Sequence, residues 1–229
     1  MMGADDNIKS ERRLSTTPTD RPGQEGGKRD SNRRRRIADL LSAASDRFLK
    51  QGVEATTIAE ITSDAKTAKG SFYRYFRDKE ELVEALFAPL ADLAEEAFAE
   101  AEKNLANATN EAQITLAYNI LGMRLVPGIL EHRELVCLYL QESRGAPSDS
   151  RRPIEQLRER IDHAALQLTE AAHIHGLWRP LPAEVSAFAV VGAVEKSLYS
   201  ILTSNKEVDP AAWTSSLVSL ILDGLSPRS

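Results

Sequence analysis

The chain has 229 residues, 42% hydrophobic and 28% charged, so it can bury the core of one large or two small domains. No run approaches the ~20 consecutive apolar residues of a membrane span, and no apolar segment follows the N-terminal charges. We therefore expect no signal peptide, no membrane partner and a cytoplasmic location. The single cysteine, Cys137, excludes an internal disulfide.

The net charge of −5 is distributed unevenly along the chain. Residues 1–79 contain 17 Lys and Arg against 12 Asp and Glu, a charge of +5, whereas the remainder carries −10. A basic front and an acidic back indicate a module that binds a polyanion, attached to a domain that avoids one.

The first predicted elements are an extension and a helix. Residues 1–32 are polar and offer little to a core, which predicts a disordered N-terminal extension. From Ile37 to Phe48 apolar residues recur at helical spacing, and Gly52 suits the position just after a helix end.

Four consecutive arginines, residues 33–36, lead into this helix. Arg35 and Arg36 are candidates for contact with DNA phosphates or with the minor groove, as in the arm of a homeodomain. The alternative is a solvated helix end.

Residues 57–79 are predicted to form two short helices joined by a turn. Thr57 and Glu60 have the spacing of a capping box, which begins a helix at that point. The second helix covers about residues 69–76, where basic and aromatic side chains alternate. Such a segment suits a phosphate backbone, because its cations displace condensed counterions and tyrosine hydroxyls bond to phosphate oxygens.

The rest of the chain is predicted to be helical throughout, so the fold class is all-α with about nine helices and no strand. Asp78 caps a helix that runs to about Asn104, and Pro89 is expected to kink this helix without ending it. The later helices are a segment from Asn110 to Pro127, a segment from Arg133 to Glu142, and three that begin at Pro153, Pro182 and Pro210.

The penultimate helix is apolar on all sides between Phe188 and Val194, so both of its faces need to be covered. One explanation is a homodimer through this helix and the last one, and the alternative is a helix at the centre of the core. The predicted interface residues are Phe188, Val191, Val194, Leu198, Trp213, Leu217 and Leu220.

One motif begins at Gly70 and has the order glycine, hydroxyl, apolar, Tyr-x-x-Phe-x-x-Lys. With it, the residues that match a known family are Ile61, Ala65, Lys69, Gly70, Ser71, Phe72, Tyr73, Tyr75, Phe76, Lys79, Glu81 and Leu82. Over about residues 33–85 the chain resembles the TetR-type bacterial transcriptional regulators. The resemblance implies a helix-turn-helix DNA-binding domain over residues 33–79 and a helical effector-binding and dimerisation domain over residues 80–229.

The resemblance also implies roles for individual residues. Thr57 would meet a phosphate, Lys69, Gly70 and Ser71 would face base edges, and Tyr73, Tyr75 and Lys79 would hold the DNA backbone. Lys66, Thr67 and Arg74 complete the predicted DNA-binding set. The implied function is that of a dimeric repressor, released from a palindromic double-stranded operator by a small-molecule effector.

The turn departs from the family pattern. Lys66 stands where the family usually has glycine, and in a left-handed conformation a lysine costs about 1–2 kcal/mol. Ala68 replaces the usual serine cap, whose absence costs about 1 kcal/mol.

Tyr118, Tyr139 and Trp178 are candidates for an effector pocket, and the alternative for each is ordinary core. Glu170 and His173 have the spacing of a di-iron bundle, but the second motif that such a site needs is missing. We expect no catalytic residue, metal or cofactor. Two other functions stay open: a helical-bundle metal protein or enzyme, and a regulator controlled by a protein partner.

Overall fold

The computed structural model describes residues 27–174, 181–204 and 209–225, and the described residues form nine α-helices and no strand. The all-α prediction is confirmed. The helices are α1 (Lys28–Gln51), α2 (Ile58–Asp64), α3 (Lys69–Phe72), α4 (Lys79–Ala106), α5 (Glu111–Glu131), α6 (Arg133–Glu142), α7 (Arg152–Ile174), α8 (Ala183–Thr203) and α9 (Pro210–Leu225). A 3₁₀ turn, Asp149–Arg151, precedes α7.

Side-chain hydrogen bonds cap the first turns of α2 and α4. The predicted capping box is confirmed: Glu60 N donates to Thr57 Oγ1 at 3.2 Å, and Thr57 N donates to Glu60 Oε2 at 2.8 Å. At α4, Asp78 accepts from Glu81 N as predicted, but the Glu81 carboxylate accepts from the backbone N of Arg77. Both arrangements satisfy backbone N–H groups that a helix start leaves unpaired.

Helix α1 begins earlier than the sequence predicted. Residues 28–32, assigned to the disordered extension, are helical, and residues 1–26 lie outside the described residues. Asp30 in the first turn accepts from Arg34 Nη2 at 2.7 Å. An acidic residue at a helix start and an i,i+4 ion pair both stabilise a helix, which explains the earlier beginning.

Two prolines lie inside helices. Helix α4 continues past Pro89, as predicted, whereas the predicted end of α5 at Pro127 is wrong because α5 runs on to Glu131. A proline removes only one backbone hydrogen bond, and packing can carry the helix past it. Gly128 supplies that packing, since a Cβ at this position would overlap the side chain of Leu93 on α4.

Contacts divide the chain into two units, with the boundary after Arg36. The described part of the first unit is the beginning of α1. Within the second unit, buried residues of α1, α2 and α3 share one apolar cluster with α4, α6 and α7, while a second cluster joins α4, α5 and α7. Helices from both sides of the predicted boundary at residue 79 therefore form one core, and the division there stays a prediction about function.

Candidate DNA-binding surface and effector cavity

The turn between α2 and α3 contains a strained residue. Lys66 has φ +51°, the left-handed conformation, and among the described non-glycine residues it alone has a positive φ. Thr67 N bonds back to Thr62 O at 2.9 Å, which closes the turn around Lys66. Lys66 therefore bears the conformational cost that a glycine would avoid.

Substitution of Lys66 by glycine is expected to raise the free energy of unfolding by up to about 1 kcal/mol. The left-handed strain disappears, and the greater freedom of glycine in the unfolded chain offsets part of the gain. Urea unfolding measures the change. Lys66→Ala is the control, because it removes the charge but keeps the Cβ; equal stabilities of the two variants would contradict this explanation.

Helix α3 is shorter than predicted. It ends at Phe72, and the chain then tightens into turns in which Tyr75 N and Phe76 N both bond to Phe72 O, at 2.8 and 3.0 Å. Ala68 at its start makes no side-chain capping bond, as its sequence predicted. Packing compensates, since Phe72 and Phe76 are both buried in the core.

The outer side of α3 and its flanking turns carries most of the predicted DNA-binding residues. Lys66, Lys69, Gly70, Tyr73 and Arg74 are exposed, whereas Thr67, Ser71 and Tyr75 are partly buried. In the separate first unit, Arg35 and Arg36 are exposed on α1. The anchored phenylalanines thus hold a short basic and aromatic segment at the surface.

Helix α2 is attached to α1 by an ion pair. Arg47 donates to both carboxylate oxygens of Asp64, with Nη2 to Oδ1 at 3.0 Å, and this bonding lowers the pKa of Asp64. Arg47 Nη1 also lies 3.8 Å from Glu60. The Thr57 hydroxyl donates to Glu60 Oε2 at 2.8 Å, so its predicted phosphate contact would compete with the capping box.

Lys79 has a different position from the one the resemblance implied. Its Nζ donates to the backbone carbonyls of Val53, Glu54 and Thr56 at 2.7, 3.2 and 2.9 Å, and burial lowers its pKa. An ammonium group has three N–H donors, and all three are used here. Lys79 therefore fastens the α1–α2 loop to the start of α4 and has no donor left for the predicted phosphate contact. No local signal indicated this, since the partners lie more than 20 residues away along the chain.

Glu142, at the end of α6, holds the same loop from the other side. Its side chain is buried, with Oε2 accepting from Arg151 Nε at 2.7 Å and Oε1 accepting from Val53 N at 3.4 Å. Gly52 has φ +83°, and a Cβ there would lie 3.1 Å from Glu142 Oε1. No pattern in the sequence indicated a role for Glu142, which connects α6 to the loop preceding α2.

Helices α4 to α9 line a cavity of about 230 Å³ with mostly apolar walls. Two of the three predicted pocket residues line it, and Trp178 lies outside the described residues. The Tyr118 hydroxyl donates to Leu168 O at 3.5 Å, and the Tyr139 hydroxyl donates to Glu195 Oε1 at 3.3 Å. Burial raises the pKa of both tyrosines, so both stay neutral.

The residues predicted at the dimer interface do not all lie on one face of α8 and α9. Val191, Val194 and Leu198, predicted at a dimer interface, line the cavity instead, while Trp213 and Leu217 on α9 are partly buried. The residues left outside are Phe188, 53% exposed, and Leu220, 70% exposed, together with Val185 and Tyr199, which the sequence analysis missed. An all-apolar helix has no polar stripe to mark its inner face, so composition could not separate the two sets.

Helix α8 is long and apolar enough to cross a membrane. Core helices of soluble proteins meet the same criteria of length and composition. Within the described ranges, no group of three or more His, Cys, Asp and Glu side chains is placed to hold a metal ion.

The N-terminal helices resemble those of known bacterial regulators. The model of a family described as bacterial regulatory proteins, tetR family, matches residues 40–86. The repressor KstR2 of Mycolicibacterium smegmatis is 33% identical over 73 residues, 32% of either chain. The Bacillus subtilis regulator YuxN is 26% identical over 196 residues, 83% of this chain and 64% of YuxN. The chain thus spans less than two thirds of the length of either relative.

A solved structure shows the same fold over most of the chain. Bacillus subtilis FadR in complex with stearoyl-CoA has a TM-score of 0.62 at 15% identity, covering 82% of this chain and 98% of FadR. At this identity the likeness establishes the fold alone. The helical part behind residue 86 therefore has the architecture of a known transcriptional regulator.

Proposed function

Because the chain belongs to the TetR family of bacterial transcriptional regulators, we propose that it is a repressor whose operator binding is controlled by a small molecule. Members of this family are not enzymes; they bind operator DNA and small-molecule effectors. The observation that carries the proposal is the short helix α3, anchored by Phe72 and Phe76 with basic and aromatic side chains outside. Such a protein acts in the cytoplasm.

The proposed DNA contacts are of two kinds: contacts to base edges and contacts to the phosphate backbone. We assign base reading to Lys69, Gly70 and Ser71, because the first residues of a recognition helix reach into the major groove. Tyr73, Arg74 and Tyr75 then bind the phosphate backbone, with Lys66 and Thr67 in the turn and Arg35 and Arg36 on α1 as further contacts. The exposure of most of these residues leaves them accessible to DNA.

A homodimer would cover the outer face of α8 and α9. Large apolar side chains on this face are exposed to water, namely those of Val185, Phe188, Tyr199 and Leu220. Exposed apolar patches of this kind mark interaction sites. A Cβ at Gly192 would meet nothing within 4 Å, so a second helix can approach closely there. Two copies present two α3 helices to successive major grooves roughly 34–36 Å apart, which requires a palindromic operator.

Helix α6 offers a route from effector to DNA. Its residues Val136 and Tyr139 line the cavity, whereas Glu142 bonds to the loop before α2. A ligand that favours a shifted α6 would move the support of α2, and DNA affinity would fall by the same coupling factor. The cavity favours a small-molecule effector over control by a protein partner.

Selection of bound sequences from random DNA tests the proposal. We expect a palindromic motif, and Lys69→Ala or Ser71→Ala should change the preferred bases, because each lost base contact removes about 1–3 kcal/mol of discrimination. Lys103→Ala, which removes the same charge from an exposed position on α4, is the control. An unchanged preference in both recognition-helix variants would contradict the base-reading assignment.

A further inference from the structure

The cavity lined by α4 to α9 is small and almost wholly apolar, and this inference rests on its proposed role as the effector site. Its volume is about 230 Å³. The polar residues among the described lining are Tyr118, Tyr139, Thr169, Ser186 and Glu195. The hydrogen bonds of these five side chains therefore decide which polar groups a ligand can bring in.

The described part of the lining has no free charge to offer a ligand. No Lys, Arg or His occurs among the described lining residues, and Glu195 is their one charged group. Both oxygens of that carboxylate have partners, since Oε1 accepts from the Tyr139 hydroxyl and Oε2 from Arg144 Nη2 at 3.0 Å. Among the described lining residues a ligand anion would meet no cation, and a ligand cation would have to displace Arg144. A charge buried without a partner is strongly disfavoured.

Among the described lining residues, one hydroxyl remains available to a ligand. Tyr118 and Thr169 donate to the backbone carbonyls of Leu168 and Ala165, at 3.5 and 2.8 Å. Ser186 is only 5% exposed, and its Oγ has no hydrogen-bond partner among the described residues. A buried hydroxyl without a partner is destabilising, so a ligand oxygen that bonds to it gains more than one in water would.

We propose that the effector is an uncharged, mainly apolar molecule with one oxygen-bearing polar group, which hydrogen-bonds to Ser186 Oγ while its apolar body fills the cavity. The oxygen can be a hydroxyl or a carbonyl, because a serine hydroxyl both donates and accepts. Ser186 is thus the residue that determines polar specificity, and the apolar walls supply most of the affinity.

Calorimetric titration of the full chain with four probes of one skeleton tests the proposal. The probes are naphthalene, 1-naphthol, 1-naphthoate and 1-naphthylmethylammonium. We expect 1-naphthol to bind about 3- to 10-fold more tightly than naphthalene, the gain of one net hydrogen bond. The anion and the cation should bind at least about 10-fold more weakly than 1-naphthol, because neither finds an unpaired opposite charge.

Two variants assign the effect to one side chain. Ser186→Ala should bring the affinity for 1-naphthol down to that for naphthalene and leave naphthalene unchanged. Ser197→Ala, on the same helix but outside the described cavity lining, should change neither affinity. Thermal unfolding of each variant confirms that the fold is retained. Preferred binding of either ion, binding of none of the four probes, or an unchanged 1-naphthol affinity in Ser186→Ala would overturn the proposal.

These titrations contain no DNA, so their outcome tests the effector class independently of operator binding. A palindromic motif from the DNA selection combined with preferred binding of an ion overturns the effector class and leaves the repressor function standing. The expected probe order without any sequence preference on DNA overturns the repressor function and leaves the effector class standing.

Discussion

Replacement of Lys79 by methionine is expected to lower the free energy of unfolding by about 2–3 kcal/mol. Methionine keeps most of the apolar stem but leaves the carbonyls of Val53, Glu54 and Thr56 without their charged donor. Hydrogen bonds to charged groups contribute about 1.5–3 kcal/mol each and are not additive, and Val53 and Thr56 are fully buried. Urea unfolding followed by circular dichroism measures the loss.

The salt dependence of DNA binding separates this role from phosphate binding. Arg74→Met removes an equal charge from an exposed position proposed to meet DNA. It should leave stability unchanged and reduce the slope of log affinity against log salt by about one. The interpretation of Lys79 is wrong if Lys79→Met shows that reduced slope together with wild-type stability.

Replacement of Glu142 by alanine is expected to cost about 3–5 kcal/mol. The side chain of Arg151 is only 17% exposed, so it would keep a charge without its partner, and the backbone N–H of Val53 would lose its acceptor. Equilibrium unfolding measures the cost. Operator affinity should fall as well, because the loop before α2 loses the hydrogen bond from Val53 N to Glu142.

The exposed pair of Arg152 and Glu80, at 2.9 Å, provides a matched comparison. Arg152→Ala, which also removes the exposed pair with Asp149, is expected to cost less than about 1 kcal/mol, since water already screens both pairs. The double variant Glu142→Leu with Arg151→Met should recover the part of the loss that comes from the unpaired Arg151 charge, because apolar groups replace both buried charges, whereas Val53 N–H stays without its acceptor. A loss in Glu142→Ala no larger than that in Arg152→Ala would refute a buried structural role.

Several local features of the helix-turn-helix, residues 57–79, could be predicted from neighbouring residues alone. The capping box of Thr57 and Glu60 and the absence of a capping side chain at Ala68 were visible in the chain, because each depends on groups within about three residues. The left-handed turn position of Lys66 was implied only by the resemblance to the TetR-type regulators. The helical period of the later segments likewise predicted the all-α class.

The contacts between residues far apart in the chain could not be predicted in this way, because they depend on how the helices pack. Lys79 bonds to carbonyls 23 to 26 residues away, and Glu142 accepts from Val53 across 89 residues. The inner face of α8 was set in the same way, because Val191 and Val194 are as apolar as Phe188 and only the packing of other helices separates them. A long side chain bonds to whichever acceptors the packing places within its reach. The inner face of an apolar helix is the face that neighbouring helices cover.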